Sequence, residues 1–350
     1  MPTKVFVFSL LLLILLGVGM TRYAALVSTD VAPTTTSNSE PTADEAVPEG
    51  VTVTDSYVLP LTSSAPTTNV RHTIPLEDIR QGCFRQDCIP SVDSPEFVKA
   101  SDLADVLDPG SLGIVIAGVD RFYPFPMLET REIVNDYLPS GEPVAVTYCP
   151  LCGTGIVFNR ELDGEAVEFG VSGMLWQSNL LMYNRAGQQQ DRNLWSQVLG
   201  QAVVGDRAGQ VLPVVPSDII TFADWLERSP NGDTLTTGTP RDPYGGDYFA
   251  TAQNFRPDFN AADSELAPTE RVHGIIVNGQ AKAYVSSKLT DGLTDFVGTE
   301  RIFIEKKDGV VKFLTSNAEN GLAPTQIPDV EGFWFSWAAA HPDTELWNVE

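Results

Sequence analysis

The chain has 350 residues, 43% of them apolar, which is enough for one large or two ordinary domains whose core does not depend on disulfides. Its 22 Lys and Arg stand against 46 Asp and Glu, a formal charge of −24, so phosphate backbones and anionic lipid surfaces are repelled at long range. That balance disfavours nucleic acid as a partner and describes a solvated acidic surface rather than an acidic active site.

The N-terminus, MPTKVFVFSLLLLILLGVGM, puts Lys4 before an uncharged apolar run from Val5 to Met20. The run has the length of an export-signal core and is short for a comfortable membrane span. Residues 1–27 are therefore expected to be a signal peptide or, since no small-residue cleavage site follows and Arg22-Tyr23 reads as an interfacial flank, an uncleaved anchor. Either way the protein is exported: membrane-anchored with an extracytoplasmic domain if uncleaved, secreted or periplasmic if cleaved. Residues 28–70, rich in Thr, Ser, Pro and Ala, are expected to form a disordered linker, with the folded region over 71–350.

Within that region short apolar or alternating runs dominate, among them LGIVIAGV, PVAVTYC, GIVFNREL, HGIIVNGQAKAYV and RIFIEKKDGVVKFLT. They read as strands, with Asp163-Gly164, Asn278-Gly279 and Asp308-Gly309 as hairpin turns. Helices are fewer: one is expected over Met127–Leu138, and a second begins at Thr221 as N-cap, with Asp224 at the third position and Pro230 as a stop. The stretch GIVIAGVDRFYPFPML (Gly113–Leu128) aligns without gaps on GIIVNGQAKAYVSSKL (Gly274–Leu289), and NDYL (Asn135–Leu138) then matches TDFV (Thr294–Val297). The expected fold class is α+β and β-rich: two related hairpin, helix and strand units, about 113–138 and 274–297, in one compact body.

An exported chain meets oxidising conditions, so its four cysteines are informative. Local pairing is expected, Cys83 with Cys88 and Cys149 with Cys152, although spacing alone leaves the other pairings open. Cys149 and Cys152 form a CxxC in the turn of VTYCPLCGTG, between two strands. One reading is a thiol redox pair cycling through an intramolecular disulfide. Because CGTGIVFNR continues as strand, no helix dipole activates the thiols, and Arg131, His273 and His341 are the cationic or titratable candidates for that role. A second reading is a soft-metal knuckle in which His341 joins the two thiolates around Zn or Cu. A third is a structural disulfide. The matching turn of the second unit is Lys306-Lys307-Asp308-Gly309, so a hairpin of this kind does not need cysteines to form.

Other polar groups sit among apolar ones. FGVSGMLWQSNLLMYNR supplies Ser172, Asn179 and Tyr183, NLWSQVLG supplies Trp195, Ser196 and Gln197, and FWFSWAAAHPDT supplies Trp334, Trp337 and His341. They can line a pocket or satisfy buried backbone groups. GVSG is not the GxSxG nucleophile elbow, which disfavours a hydrolase. The segment DPYGGDY (Asp242–Tyr248) reads as a Gly-rich turn whose carboxylates could meet a cation.

REIVND, VTYCPLCGTGIVFNR, FGVSGMLWQSNLLMYNR, LWSQVLGQAVVG and FWFSWAAAHPDT, in that order, resemble domain-of-unknown-function family 3179. The resemblance covers essentially all of Ile79–His341. It implies no established activity, but it does imply export or membrane association. Some members of the family carry selenocysteine at the CPLC motif, which implies redox work there rather than a passive staple. Two departures matter. Arg131 stands where the family usually has His, and GCFRQDCIP puts Cys83 and Cys88 where glycine is usual, which reads as an acquired local disulfide. The expected function is thus a thiol–disulfide redox centre at Cys149 and Cys152, of oxidoreductase type, needing no cofactor. Arg131, Asn135, Asp136, Ser172, Asn179, Trp195, Gln197 and His341 are its supporting candidates. The alternatives are a Zn or Cu protein using Cys149, Cys152 and His341, or a non-catalytic module with structural disulfides. The partner is correspondingly a redox or a metal-delivery protein.

Overall fold

The computed structural model describes residues 47–61, 67–185, 193–237, 266–315 and 324–347. The expected signal or anchor over 1–27 and the DPYGGDY segment lie outside the described residues, and no described helix is long and apolar enough to cross a membrane. The expected linker over 28–70 is corrected where it is described. Thr52–Tyr57 and Thr67–His72 are paired antiparallel strands, and the second joins Gln201–Val204 at the edge of a larger sheet. The Thr and Val residues that read as low complexity are good strand formers once a partner edge is present.

The fold is β-rich with few helices: a seven-stranded sheet curls into a half-barrel, and sheets of five, four, four and three strands are arranged like propeller blades. Asp163-Gly164, Asn278-Gly279 and Asp308-Gly309 all carry positive φ at both positions, the type I′ geometry that matches strand twist. Helix Phe222–Arg228 starts as expected, with the Thr221 side chain accepting from the Asp224 N–H. The helix expected over Met127–Leu138 is not formed. Only Phe125–Leu128 is helical, and Ile133–Tyr137 is a strand pairing with Pro143–Cys149. The physical reason is local: Ile133-Val134 are β-branched, Asn135 and Asp136 are poor helix formers, and all four are buried between neighbours.

The aligned stretches occupy equivalent places. Hairpin Leu112–Ile116/Arg121–Pro124 is flanked by Ser217–Thr221 antiparallel and Asp233–Leu235 parallel. Hairpin Arg271–Val277/Gln280–Val285 is flanked in the same way by Asp329–Phe333 and Glu345–Leu346. Cross-strand partners shift by two residues between them, since Ile114 faces Tyr123 whereas Ile275 faces Lys282. Side-chain detail recurs as well. Arg121 and Tyr123 both donate to Asp136 (2.6 and 2.7 Å), while Tyr284 (2.9 Å) and Lys282 (2.8 Å) meet Asp295. Trp225 Nε1 donates to Thr234 (2.9 Å) and Trp337 Nε1 to Thr344 (2.8 Å). One difference bears on the site. After Thr154–Asn159 the first half carries Phe169–Trp176, Asn179–Asn184, Leu194–Ser196 and Gln201–Val204, four neighbouring strands of the half-barrel sheet, before it reaches Ser217–Thr221.

Candidate functional site: a buried dithiol

Strands Pro143–Cys149 and Thr154–Asn159 form a hairpin whose turn is CPLCG, closed by the Cys152 N–H donating to the Cys149 carbonyl at 3.1 Å. Gly153 carries φ +61, and a Cβ there would press on the Phe333 ring at 3.1 Å, so both conformation and space call for glycine. The two thiols are free and buried, with the sulfurs 3.1 Å apart. They lie in an apolar cluster with Ile133, Ala145, Ile156, Phe333 and Phe335.

A second turn closes over them. Trp176 pairs with Asn179, and the intervening Gln177 and Ser178 have φ of 51° and 59°, a type I′ turn built without glycine. Non-glycine residues in that region cost on the order of 1 kcal/mol each, a strain that tends to persist at functional sites. Here it aims the turn's polar groups at sulfur: the Ser178 carbonyl lies 3.3 Å from Cys152 Sγ and 3.9 Å from Cys149 Sγ, and Asn179 Nδ2 donates to Cys152 Sγ at 3.3 Å.

Asn179 is held by a closed network. Its Oδ1 accepts from the Val198 N–H (3.0 Å), which fixes the amide so that its NH2 faces sulfur. Gln197 Oε1 accepts from Asn179 Nδ2 (3.0 Å) and Thr154 Oγ1 (2.8 Å), while Gln197 Nε2 donates to Thr147 Oγ1 and the Thr154 carbonyl, both at 3.2 Å. Gln197, Thr147, Thr154 and Asn179 are all buried. A network this fully satisfied rigidifies its surroundings.

The electrostatics favour a protonated Cys149 thiol. Burial pushes the Cys149 thiol well above its usual range, reinforced by the hydrogen bond with Cys152 and by the charges of Cys152 and Glu132, against one lowering donor, the Leu180 N–H. Glu132 precedes strand Ile133–Tyr137, is buried, has φ 59°, and accepts from the Tyr148 N–H through its carbonyl at 2.8 Å. Burial alone pushes its carboxyl up to about 8.

Of the expected supporting residues, the fold brings Asn179 and Gln197 to the dithiol. The others hold the scaffold. Asn135 clamps two sheets, donating to Asp93 (2.7 Å) and the Phe169 carbonyl (2.8 Å) and accepting from the Phe169 N–H (2.9 Å). Asp136 belongs to the Arg121–Tyr123 cluster, Ser172 supports a bulge by donating to the Leu181 carbonyl (2.5 Å), and the Trp195 indole donates to Asn184 (3.0 Å).

The expected cationic activators, Arg131, His273 and His341, have contacts of their own. His273 is bound to Asp329 at 2.8 Å. His341 packs against Trp337 with tilted rings, centroids 4.1 Å apart, and burial lowers its pKa to about 4. Arg131 sits in the turn before Glu132, its N–H on the Leu128 carbonyl (3.0 Å). No Arg, Lys or His hydrogen-bonds to either sulfur among the described residues. The soft-metal set of Cys149, Cys152 and His341 is not assembled either, since no group of three His, Cys, Asp or Glu side chains there could hold a metal ion. Cys83 and Cys88 are joined as a disulfide, as expected, with Cα atoms 6.5 Å apart.

Sequence reasoning missed Glu132, Thr147, Thr154 and the Ser178 carbonyl. Glu132 had a signal in REIVND: an acid directly before a β-branched pair, at the edge of a buried strand. The family profile described as "Protein of unknown function (DUF3179)" matches residues 86–344, a span that includes both turns and the network behind them. The chain belongs to the DUF3179 family. No curated protein and no solved structure matches it. Within DUF3179 the chain's CPLC turn, its Trp176–Asn179 turn and Gln197 all fall inside the matched span, whereas Cys83 precedes it.

Proposed function

We propose that this DUF3179 protein is an exported or membrane-tethered redox protein whose Cys149 and Cys152 interconvert between dithiol and disulfide. The observation that carries the reading is the pair of free sulfurs 3.1 Å apart in one turn, wrapped by a strained second turn and a closed amide network. The wrapping is neutral and suits both states: the Asn179 and Leu180 N–H groups can rest on sulfur in either, while the Ser178 carbonyl accepts from a thiol and disfavours a thiolate. Attack therefore waits for the turns to part, which makes the centre a slow switch rather than a fast exchange catalyst. It needs no cofactor, and its partner is a disulfide or dithiol, small or protein-borne.

We also infer that the two hairpin-centred halves are copies of one unit. The shared strand order, the paired cation–Tyr–Asp clusters and the paired Trp–Thr bonds support this. The sister turn, Lys307-Asp308-Gly309, has no sulfur, so the cysteines and the strands that enclose them are additions to a scaffold that folds without them.

The test is a titration against glutathione buffers with acid quenching and mass-tagged thiol trapping. Cys149 and Cys152 should oxidise together as one two-electron couple, with Cys83→Ser/Cys88→Ser leaving the midpoint unchanged and Cys149→Ser abolishing the transition. A midpoint below about −300 mV would mark the pair as a structural staple and sink the reading.

A further inference from the structure

The two halves carry the same charged cluster, and only one of them covers it with a strand. Arg121 pairs with Asp136 (2.6 Å), donates to the Tyr137 carbonyl (3.1 Å) and reaches Asp233 (3.8 Å). Lys282 pairs with Asp295 (2.8 Å), donates to the Phe296 carbonyl (3.1 Å) and reaches Glu345 (2.8 Å). Strand register makes the same match, since Asp233 lies opposite Arg121 and Glu345 opposite Lys282. In the first half a further strand, Phe97–Lys99, pairs antiparallel with Asp233–Leu235. Its Phe97 ring lies 4.2 Å from the Arg121 guanidinium and meets Tyr123 edge-on at 5.8 Å, while Lys99 Nζ sits 2.8 Å from Asp233. In the second half the sheet ends at Glu345–Leu346 among the described residues. Beside that edge is a cavity of about 750 Å³ lined by Lys282, Asp295, Phe296, Asp343, Thr344 and Glu345. The Glu345 side chain is 65% exposed, with one oxygen on Lys282 and the second without a partner among the described residues.

We propose that the edge at Glu345–Leu346 is a docking site for an extended basic segment of another protein, which adds there as the strand that Phe97–Lys99 supplies in the first half. The site lies apart from the dithiol and does not depend on its redox chemistry. A sheet edge offers unpaired N–H and C=O groups to such a segment, and the neighbouring side chains decide which segment fits. By the register of Phe97–Lys99, the segment runs antiparallel to the edge and sets a Lys or Arg opposite Glu345. An aromatic residue then falls two positions earlier, opposite Trp347, as Phe97 falls opposite Leu235. The cation takes the second oxygen of Glu345, as Lys99 takes Asp233, and the aromatic ring enters the cavity that Lys282 lines, as Phe97 lies against Arg121. A second copy of the chain is a poor occupant. Edge against edge would bring Asp343 and Glu345 of two copies together, in a chain of charge −24. The same charge draws a basic segment in.

The probe is the blocked peptide SPKFVKAS, the stretch 94–101 of this chain with Lys in place of its Glu, fluorescently labelled and titrated with the full chain. A second version carries p-benzoylphenylalanine at its Phe for photocrosslinking. Anisotropy should saturate with a Kd below about 1 mM, the affinity should fall as salt rises, and the crosslinks should map to residues 295–298 and 340–347. Glu345→Gln, which keeps an acceptor for Lys282, should weaken binding about 5-fold. Gln at the second Lys of the probe should do the same, and the two changes together should cost no more than either alone, because both remove one contact. Absence of saturable binding up to about 1 mM would overturn the proposal. Crosslinks on Asp233–Leu235 would overturn it too, since the probe would then have displaced the chain's own Phe97–Lys99 strand. So would sedimentation showing that the chain pairs with itself and that the probe dissolves the dimer, because the occupant of the edge would then be a second copy.

Discussion

Replacing Glu132 by Gln is expected to remove a pH dependence of stability worth about 4 kcal/mol between about pH 4.5 and pH 8. Unfolded, this carboxyl ionises near its ordinary 4.5, whereas in the fold burial holds it protonated up to about 8. Through that window the unfolded state binds fewer protons than the folded one, so stability falls as pH rises and levels off only once the folded carboxyl also ionises. Each unit of separation is worth about 1.4 kcal/mol. Other buried acids slope the same way, since burial also raises Asp329 and Asp218. They remain in both proteins and cancel in the difference. Urea midpoints of wild type and Glu132→Gln at pH 5 and pH 8.5 provide the check. The two proteins should differ little at pH 5, and Gln should be the more stable at pH 8.5. Parallel curves would mean that the carboxyl is solvated in the fold and that burial does not hold its proton.

The strand content was legible because its signals are local. Asp-Gly and Asn-Gly fix the type I′ turns through φ > 0, and the Thr221 cap needs only Asp224 three residues on. The gapless match of Gly113–Leu128 to Gly274–Leu289 found two hairpins with the same strand neighbours, in which Tyr123 and Tyr284 each donate to an Asp of the following strand. What failed was decided by distant partners. Ile133–Tyr137 reads as helix only if the edge of Pro143–Cys149 is ignored, and Thr52–Tyr57 reads as linker only without Thr67–His72 beside it. The CxxC itself was plain in the sequence, but its environment was not. The Gln177-Ser178 turn has none of the glycine that usually announces type I′ geometry, so nothing local says that it closes over Cys149 and Cys152. The cations expected to activate the thiols are engaged elsewhere, His273 by Asp329 and His341 by Trp337, for reasons that lie in the second half of the chain.

Gln197→Leu should destabilise the protein by about 3–5 kcal/mol and loosen the dithiol together with it. Leucine fills nearly the same volume, so the cost comes from the polar groups left behind rather than from a cavity. Thr154 Oγ1 loses its acceptor, Thr147 Oγ1 loses the donor that reaches it, and Asn179 Nδ2 keeps only the Cys152 sulfur. Thr154 Oγ1 is left unsatisfied, at about 1–3 kcal/mol, while Thr147 Oγ1 still donates to the Ile156 carbonyl and Asn179 Nδ2 still reaches sulfur, each losing one bond worth about 1 kcal/mol. The Val198 N–H still pins Asn179 Oδ1, so the amide should keep its place on one side while losing its brace on the other. Thiol trapping at a fixed denaturant concentration should then show Cys149 and Cys152 becoming reactive well before Cys83–Cys88 is disturbed. A cycle with Asn179→Ala tests the mechanism directly, because residues that act through one network give a double variant less destabilised than the sum of the singles. Strict additivity would mean that Gln197 supports the hairpin without bracing Asn179, and the amide that faces sulfur would then owe its orientation to Val198 alone.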